Sequence, residues 1–324
     1  MDRKIRVAVL RGGPSSGYDV SLKTGRHVLS LLRDNPEIYE PRDVFISRLG
    51  EWYTHGVVRK PEDALLGTDV VWNALHGAYG EDGEIQSFLE ELGIPFTGSL
   101  SEASELAMDK IRAKKVFAKN SFLTPRHEIV EDNISPEQLL FIFRNFLHPV
   151  IVKPANGGSS IGTCIAHTFQ ELGEAIKHAL KHSRRALVEE FIRGKEATCG
   201  VVENARGEKL YALLPIEIRK PTKRSFFDYD AKYSGETEEI CPGNFSQKTL
   251  REIENLAKKA HEALGLNHYS RSDFIVTPRG KIYILETNSL PGFTEESLMP
   301  KALHAIGWHP RSFVDHIIKL SLER

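Results

Sequence analysis

Short apolar runs alternate with glycine-rich turns and helix-period stretches through the first third of the chain. Residues 5–10 (IRVAVL) form an apolar run that ends in Gly12-Gly13-Pro14-Ser15-Ser16-Gly17. A helical stretch follows, with Val20, Leu22, Val28, Leu29, Leu31 and Leu32 as its apolar positions. Residues 70–75 are a second apolar run, entering the loop His76-Gly77-Ala78-Tyr79-Gly80-Glu81-Asp82-Gly83, and a helix is predicted over 85–92. Apolar strand, glycine-rich turn and helix, repeated, is the pattern of a parallel sheet with ligands at its strand ends.

Residues 99–112 read as helical, 128–130 as a strand and 139–146 as a helix stopped by His148-Pro149. A strand at 150–153 runs into Pro154-Ala155-Asn156-Gly157-Gly158-Ser159-Ser160, with a strand at 161–165 and a helix at 169–182 after it. The last third is richer in strands, at 186–191, 197–202, 209–215, 273–277 and 282–288, covered by helices at 249–264 and 310–322. The fold class is therefore α/β followed by α+β, in segregated units at 1–98, 99–188 and 189–324.

The last pair of strands carries the clearest chemistry. Pro278-Arg279-Gly280-Lys281 reads as a hairpin turn. Counting back from its tip sets Asp273 opposite Glu286 and Arg271 opposite Asn288. All four then share one face, with Phe274, Val276, Tyr283 and Leu285 on the other. Opposed carboxylates repel, whereas Asp, Glu and Asn oxygens suit Mg²⁺, which takes its remaining ligands from water and phosphates. The plainer alternative is the solvated polar face of an edge hairpin.

Weaker signals accompany it. Lys153 before the loop at 154–160 could set a point charge and backbone N–H groups against phosphate oxygens, although no G-x-x-x-x-G-K-[ST] occurs. The turn at 12–17 could present a helix N-terminus to an anion, and it is not a G-x-G-x-x-G dinucleotide signature. Residues 226–235, with Lys232 and Tyr233, interleave aromatics and charges without a period and read as a surface loop or as a lid over a polar substrate. Glu189, Glu190, Phe191, Ile192 and Glu196 could frame an adenosine, and His76 could touch phosphate or substrate. Each of these also has an ordinary structural reading.

Composition narrows the classes. The chain has 324 residues, 40% hydrophobic and 27% charged, as expected of a soluble globular enzyme. Lys plus Arg is 43 and Asp plus Glu is 44. That balance leaves no basic footprint for nucleic acid and no polybasic membrane patch. No apolar run is long enough to span a bilayer and no signal-peptide core follows Met1. Cys164, Cys199 and Cys241 are odd in number and widely spaced, which fits a reducing compartment. The expected location is cytoplasmic.

Taken in order, these segments resemble the D-alanine–D-alanine ligases of the ATP-grasp superfamily over essentially the whole chain. The matching blocks include LHGAYGEDG (75–83), Met108-Asp109-Lys110, VKPANGGSS (152–160), VEEFIRGKE (188–196), DYDAKY (228–233), Arg271-x-Asp273 and ETNSLPGFTEESL (286–298). The resemblance implies an ATP-grasp fold with an N-terminal, Rossmann-like parallel-sheet domain. It implies ligation of two D-alanines through an acyl phosphate for peptidoglycan precursors. The cofactors implied are ATP and two Mg²⁺, with Mn²⁺ as a substitute. Small-molecule substrates and a homodimer are the partners implied.

By the same resemblance, Asp273, Glu286 and Asn288 hold the metals, Lys110 and Lys153 contact the nucleotide phosphates, and Lys232 is a further nucleotide-binding residue. Glu189 to Ile192 lie by the adenine and Glu196 by the ribose. Arg271 and the Gly292 N–H stabilise the oxyanion, and Ser297 and Leu298 hold the second D-alanine. Ser159 and Tyr233 link the glycine-rich loop to the lid, and His76 lies at the substrate. One block departs from the family. Its first loop reads Glu-x-Glu-Val-Ser, and here the run is Gly17-Tyr18-Asp19-Val20-Ser21. Asp19 is then the expected anchor for the first D-alanine ammonium, with Glu81 the next candidate, and Gly17→Glu is expected to tighten that site. The alternatives are an ATP-grasp ligase with a different acceptor and a nucleotide-binding paralogue with weakened catalysis.

Overall fold

The computed structural model of the protein describes residues 3–158, 160–219 and 237–324. In chain order the elements begin with β1 (Ile5–Gly12), α1 (Tyr18–Arg33), β2 (Tyr39–Ile46), β3 (Trp52–Thr54), β4 (Val57–Arg59), α2 (Pro61–Ala64), β5 (Val70–Asn73) and α3 (Glu84–Glu91). Then come α4 (Ser101–Met108), α5 (Lys110–Lys119), β6 (His127–Glu131), α6 (Pro136–Asn145), β7 (Val150–Pro154), β8 (Cys164–Ala166), α7 (Phe169–Leu180) and β9 (Arg185–Glu190). The remainder is β10 (Lys195–Ala205), β11 (Glu208–Ala212), β12 (Ile216–Arg219), β13 (Glu238–Ile240), α8 (Gln247–Ala263), β14 (Tyr269–Val276), β15 (Ile282–Asn288), α9 (Leu298–Ala305) and α10 (Pro310–Glu323).

The first sheet runs β4-β3-β2-β1-β5, with β1 parallel to both β2 and β5. The strand order changes direction at β1, so the loops after β1 and β5 flank the crevice where such sheets bind ligands. Ser21, fully buried, accepts the Gly12 N–H through its hydroxyl at 2.8 Å and ties α1 to the end of β1. The antiparallel extension β2-β3-β4 lies outside the sequence reading. Pro41 and the charges at positions 40, 42 and 43 hide the period of β2.

The other two sheets are antiparallel: β6-β9-β7-β8, and β13-β12-β10-β14-β15 with β11 on β10. The helix predicted over 99–112 is broken at Asp109. That residue has extended backbone, and its carboxylate accepts the N–H groups of Ile111 and Arg112 at 2.9 and 3.0 Å. Asp109 is thus the N-cap of a new helix, α5, whose first residue is Lys110. The strand predicted over 161–165 shrinks to β8, because Ser160 and Gly162 take positive φ and turn the chain there.

An aromatic cluster joins the first sheet to the third. Phe313 of α10, fully buried, stacks on Phe293 at 5.0 Å and meets Tyr269 edge-on at 5.4 Å. Phe293 in turn packs on Trp72 of β5 at 6.2 Å. One apolar core thus contains both Val7 and Val9 of β1 and Ile317 and Ile318 of α10. We expect Phe313→Ala to cost about 3–5 kcal/mol through the cavity it leaves. A thermal unfolding midpoint unchanged from wild type would show that this cluster does not join the two sheets energetically.

Candidate active site

A cavity of about 1560 Å³ opens between the three sheets. The loops after β1 and β5 line one end, β7 and β9 line another, and β14, β15 and the segment before α9 form the floor. Of the residues expected at the site, Lys110, Lys153, Glu189, Glu190, Phe191, Ile192 and Glu196 line this cavity. So do His76, Arg271, Asp273, Glu286, Asn288, Gly292, Ser297 and Leu298. Ser159, Lys232 and Tyr233, with the predicted lid at 226–235, lie outside the described residues.

The floor is set by strand register. Arg271 pairs with Asn288 and Asp273 with Glu286, as the hairpin count requires. Beyond Asp273 the register shifts by one: Phe274 pairs with Ile284 and Val276 with Ile282. Leu285 is the extra residue of this β-bulge. It corrects the expected outer face, because Ile282 and Ile284, not Tyr283 and Leu285, join Phe274 and Val276 in the core. Leu285 instead lines the cavity beside Glu286.

Repulsion between the two opposed carboxylates is met by the protein's own cations. Arg271 donates to both Asp273 oxygens at 3.0 Å, and Thr198 of β10 donates to Oδ1 at 2.5 Å. Lys110 stands 3.3 Å from Glu286. Burial alone would lower the Arg271 pKa, but Asp273 and Glu286 beside it outweigh that and raise it. The pair is therefore compensated within the chain itself. Thr198 is a site contact that the sequence did not signal, since only the β10–β14 register sets it opposite Asp273.

The same residues still suit a hard divalent ion. Two carboxylates lie side by side, and the Asn288 amide reaches Asp273 with a nitrogen–oxygen distance of 3.4 Å. Among the described residues no group of three or more His, Cys, Asp or Glu could hold a metal by itself. A set that falls short of a closed protein cage matches Mg²⁺, which draws further ligands from water and phosphates.

Among the described residues five lysines line the cavity, and Lys110 and Lys153 enter it from the start of a helix and the end of a strand. Lys110 is fixed by its place at the start of α5, and its ammonium donates to the Gly157 carbonyl at 2.5 Å. Lys153, at the end of β7, pairs with the buried Glu189 at 2.9 Å. Burial alone would raise the Glu189 pKa, but Lys153 and Lys114 overcome it and hold the carboxylate ionised. The Glu190 carboxylate accepts the Arg126 N–H at 2.8 Å.

At the opposite end the N-terminus of α9 faces the cavity. Ser297 is its N-cap residue, but its hydroxyl does not cap the helix and instead accepts the Thr294 N–H at 3.0 Å. The first N–H groups of α9, by Leu298, are left free to meet an anion. Lys301, one turn on, pairs with Glu239 at 2.6 Å.

The loop after β5 corrects the expectation for Asp19. The Asp19 side chain is largely exposed, faces Arg48 at 3.4 Å, and is absent from the cavity wall. Gly17, just before α1, and Val20 and Lys23 on it line the cavity instead. The acidic group at this end is Glu81, whose carboxylate bonds His76 Nδ1 at 3.0 Å, while Thr24 bonds Nε2 at 2.9 Å. Buried His76 is thus gripped on both nitrogens. Gly17 has φ −79°, so its backbone would accept any residue. Space is what it lacks: a Cβ there would lie 2.5 Å from the His76 carbonyl oxygen. The helix start and the His76 loop touch backbone to backbone, and Ser15 donates its hydroxyl to that same carbonyl.

Gly17→Glu is accordingly expected to destabilise the protein by about 1–3 kcal/mol, as overpacking does, and not to tighten the first substrate site. A variant with wild-type thermal stability and a lower KM for that substrate would restore the original expectation.

Comparison with known proteins agrees with this layout. The family profile described as D-ala D-ala ligase C-terminus matches residues 122–319, and the one described as D-ala D-ala ligase N-terminus matches residues 54–99. A D-alanine–D-alanine ligase from Desulfotalea psychrophila is 40% identical over 99% of this chain and 96% of its own length. One from Syntrophobacter fumaroxidans is 38% identical over 99% and 98%. Among solved structures, the VanG D-Ala:D-Ser ligase from Enterococcus faecalis superposes with a TM-score of 0.86 at 29% identity, covering 98% of this chain and 100% of that one. D-alanyl-alanine synthetase A from Vibrio cholerae gives 0.87 at 27% identity, covering 99% of each. With both profiles matched and these relatives spanned nearly end to end, the chain belongs to the D-alanine–D-alanine ligase family and has its ATP-grasp fold.

Proposed function

We propose that this protein joins two D-alanines at the expense of ATP, through an acyl phosphate, to supply D-alanyl-D-alanine for peptidoglycan. The observation that carries the reading is the single cavity in which Arg271, Asp273, Glu286 and Asn288 face Lys110 and Lys153. Phosphoryl transfer needs alignment and charge neutralisation more than covalent help from the protein. The carboxylate of the first D-alanine attacks the γ-phosphate, and ADP leaves. The amine of the second attacks the acyl phosphate, and inorganic phosphate leaves.

In this reading Lys110 and Lys153 hold the phosphates, and the segment from Glu189 to Ile192 borders the adenine, with Glu196 at the ribose. Asp273, Glu286 and Asn288 would hold Mg²⁺, or Mn²⁺ in its place, which supplies charge neutralisation at the phosphates. Arg271 and the Gly292 N–H face the tetrahedral oxyanion, a contribution of about 3 kcal/mol per donor. Ser297, Leu298 and the open end of α9 take the carboxylate of the second D-alanine. The His76–Glu81 pair takes over the first ammonium from Asp19. Ser159, Lys232 and Tyr233 keep the roles that the resemblance gives them, and the homodimer and cytoplasmic location belong to the same reading. Among the described residues no helix is long and apolar enough to cross a membrane.

A second reading rests on Gly17. The first-substrate end lacks the family's carboxylate at that position, which favours an acceptor or donor other than D-alanine. ADP release measured with D-alanine, D-serine, D-lactate and no substrate separates the two. Release with D-alanine alone supports the first reading. A preference for D-serine or D-lactate selects the second, and no stimulation by any of them removes both.

Two substitutions follow from the assignments. Glu286→Gln should cut turnover by about ten- to a hundredfold, the worth of a charge-assisted contact, with the fold intact by circular dichroism. Wild-type turnover would remove Glu286 from the metal set. Glu81→Gln should raise KM for the first D-alanine by about tenfold or more, whereas Asp19→Asn should leave it unchanged. Steady-state kinetics showing the reverse ranking would return the anchor to Asp19.

A further inference from the structure

Lys114 lies one turn beyond Lys110 on α5 but never reaches the cavity wall. Its buried ammonium has Thr124 Oγ1 at 2.5 Å, the Pro125 carbonyl at 3.0 Å and Glu189 Oε1 at 3.0 Å. The other oxygen of Glu189 faces Lys153 at 2.9 Å. One buried carboxylate is therefore shared by two lysines, of which only Lys153 faces the cavity. The three groups carry a net charge of +1. Without Lys114, Glu189 and Lys153 would form a closed, neutral pair.

We propose that Lys114 is a positioning residue for the nucleotide: by occupying Glu189 from behind, it leaves the charge of Lys153 available to the phosphates. The inference rests on the reading of this cavity as a nucleotide site. Stability alone does not account for the arrangement, because buried ion triads are commonly no more stable than apolar residues of the same shape. The other charged or titratable groups facing Lys114 are Glu190, next along β9, and His127 of β6, which pairs in register with Glu189. Burial lowers the Lys114 pKa to about 8, against the opposing pull of Glu189. Above that pH the triad loses its surplus charge and Glu189 and Lys153 are left as a neutral pair, so nucleotide affinity falls as pH rises.

The test is direct titration of ATP and of ADP, with Mg²⁺ present and D-alanine absent, into four proteins. These are wild type, Lys114→Met, Glu189→Gln and the double variant. Lys114→Met should weaken nucleotide binding by about tenfold or more, the worth of a charge-assisted contact. Its kcat at saturating ATP and its KM for D-alanine should stay near wild type. In the Glu189→Gln background the same substitution should change affinity by less than about twofold, since the carboxylate through which Lys114 acts is gone. Unchanged affinity in Lys114→Met overturns the proposal. So do equal losses in the two backgrounds, which would mark a merely structural lysine.

Should Lys114→Met fail to fold, the pH dependence of ATP binding decides. A fall above about pH 8 in wild type, absent from Glu189→Gln, supports the proposal, and a flat wild-type profile overturns it. Wild-type protein that binds no nucleotide at any pH removes the reading of the cavity, and the inference with it.

Discussion

Asp273 is the point from which the site is organised. It lies on β14, a strand paired on both sides, opposite Thr198 on one flank and Glu286 on the other. An aspartate so placed must be held, since an unpaired charge at a sheet centre would be costly. Arg271, two residues away on the same face, takes both of its oxygens, and Thr198 takes one again. The face of β14 and β15 is thereby committed to charge and the opposite face to apolar core, where Phe274, Val276, Ile282 and Ile284 pack. The bulge at Leu285 lets the apolar alternation near the turn and the polar alternation near the cavity coexist on one strand.

The same logic of compensated charge recurs around the cavity. Lys110 faces Glu286, Lys153 faces Glu189, and Lys301 faces Glu239, each lysine held on a helix or strand. Groups held by partners in regular elements need little reorganisation when substrate charge arrives, which is the condition under which fixed charges are most effective. The end of the cavity by the first sheet is built differently. There two loops meet backbone to backbone at Gly17 and His76, and His76 is oriented by Thr24 and Glu81. A close approach of this kind leaves little room for a side chain at position 17, and the acidic side chain lining this end of the cavity is Glu81 of the neighbouring loop.

Much of this was legible from residue order alone. Strand, turn and helix alternation gives the parallel β1-β5 pair, because buried parallel strands read as continuous apolar runs. The hairpin count put Asp273 opposite Glu286, although the register at the turn is one residue off, because the bulge restores the match by Asp273. Less legible were the strands in which Pro41 and charged residues mask the period. The break at Asp109 was equally hidden, where a single capping carboxylate splits one helical pattern into two.

The chain's own sequence determined which chemistry is available: opposed carboxylates with an amide and an arginine, two lysines beside glycine-rich or helix-starting segments, and the motifs that mark the family. These are local properties, set by residue type, period and turn chemistry. Tertiary structure decided which of those groups meet. Asp19, in the first turn of α1, and Glu81, in the loop after β5, are both acidic residues at the same end of the first sheet, and residue type does not distinguish them. The rotation of α1 turns Asp19 to solvent, while the loop after β5 sets Glu81 against His76 and into the cavity. Lys114 and Thr198 likewise carry no local signal. Their partners lie 75 residues away along the chain, and only the packing of α5 on β9 and the β10–β14 register bring them within hydrogen-bonding reach.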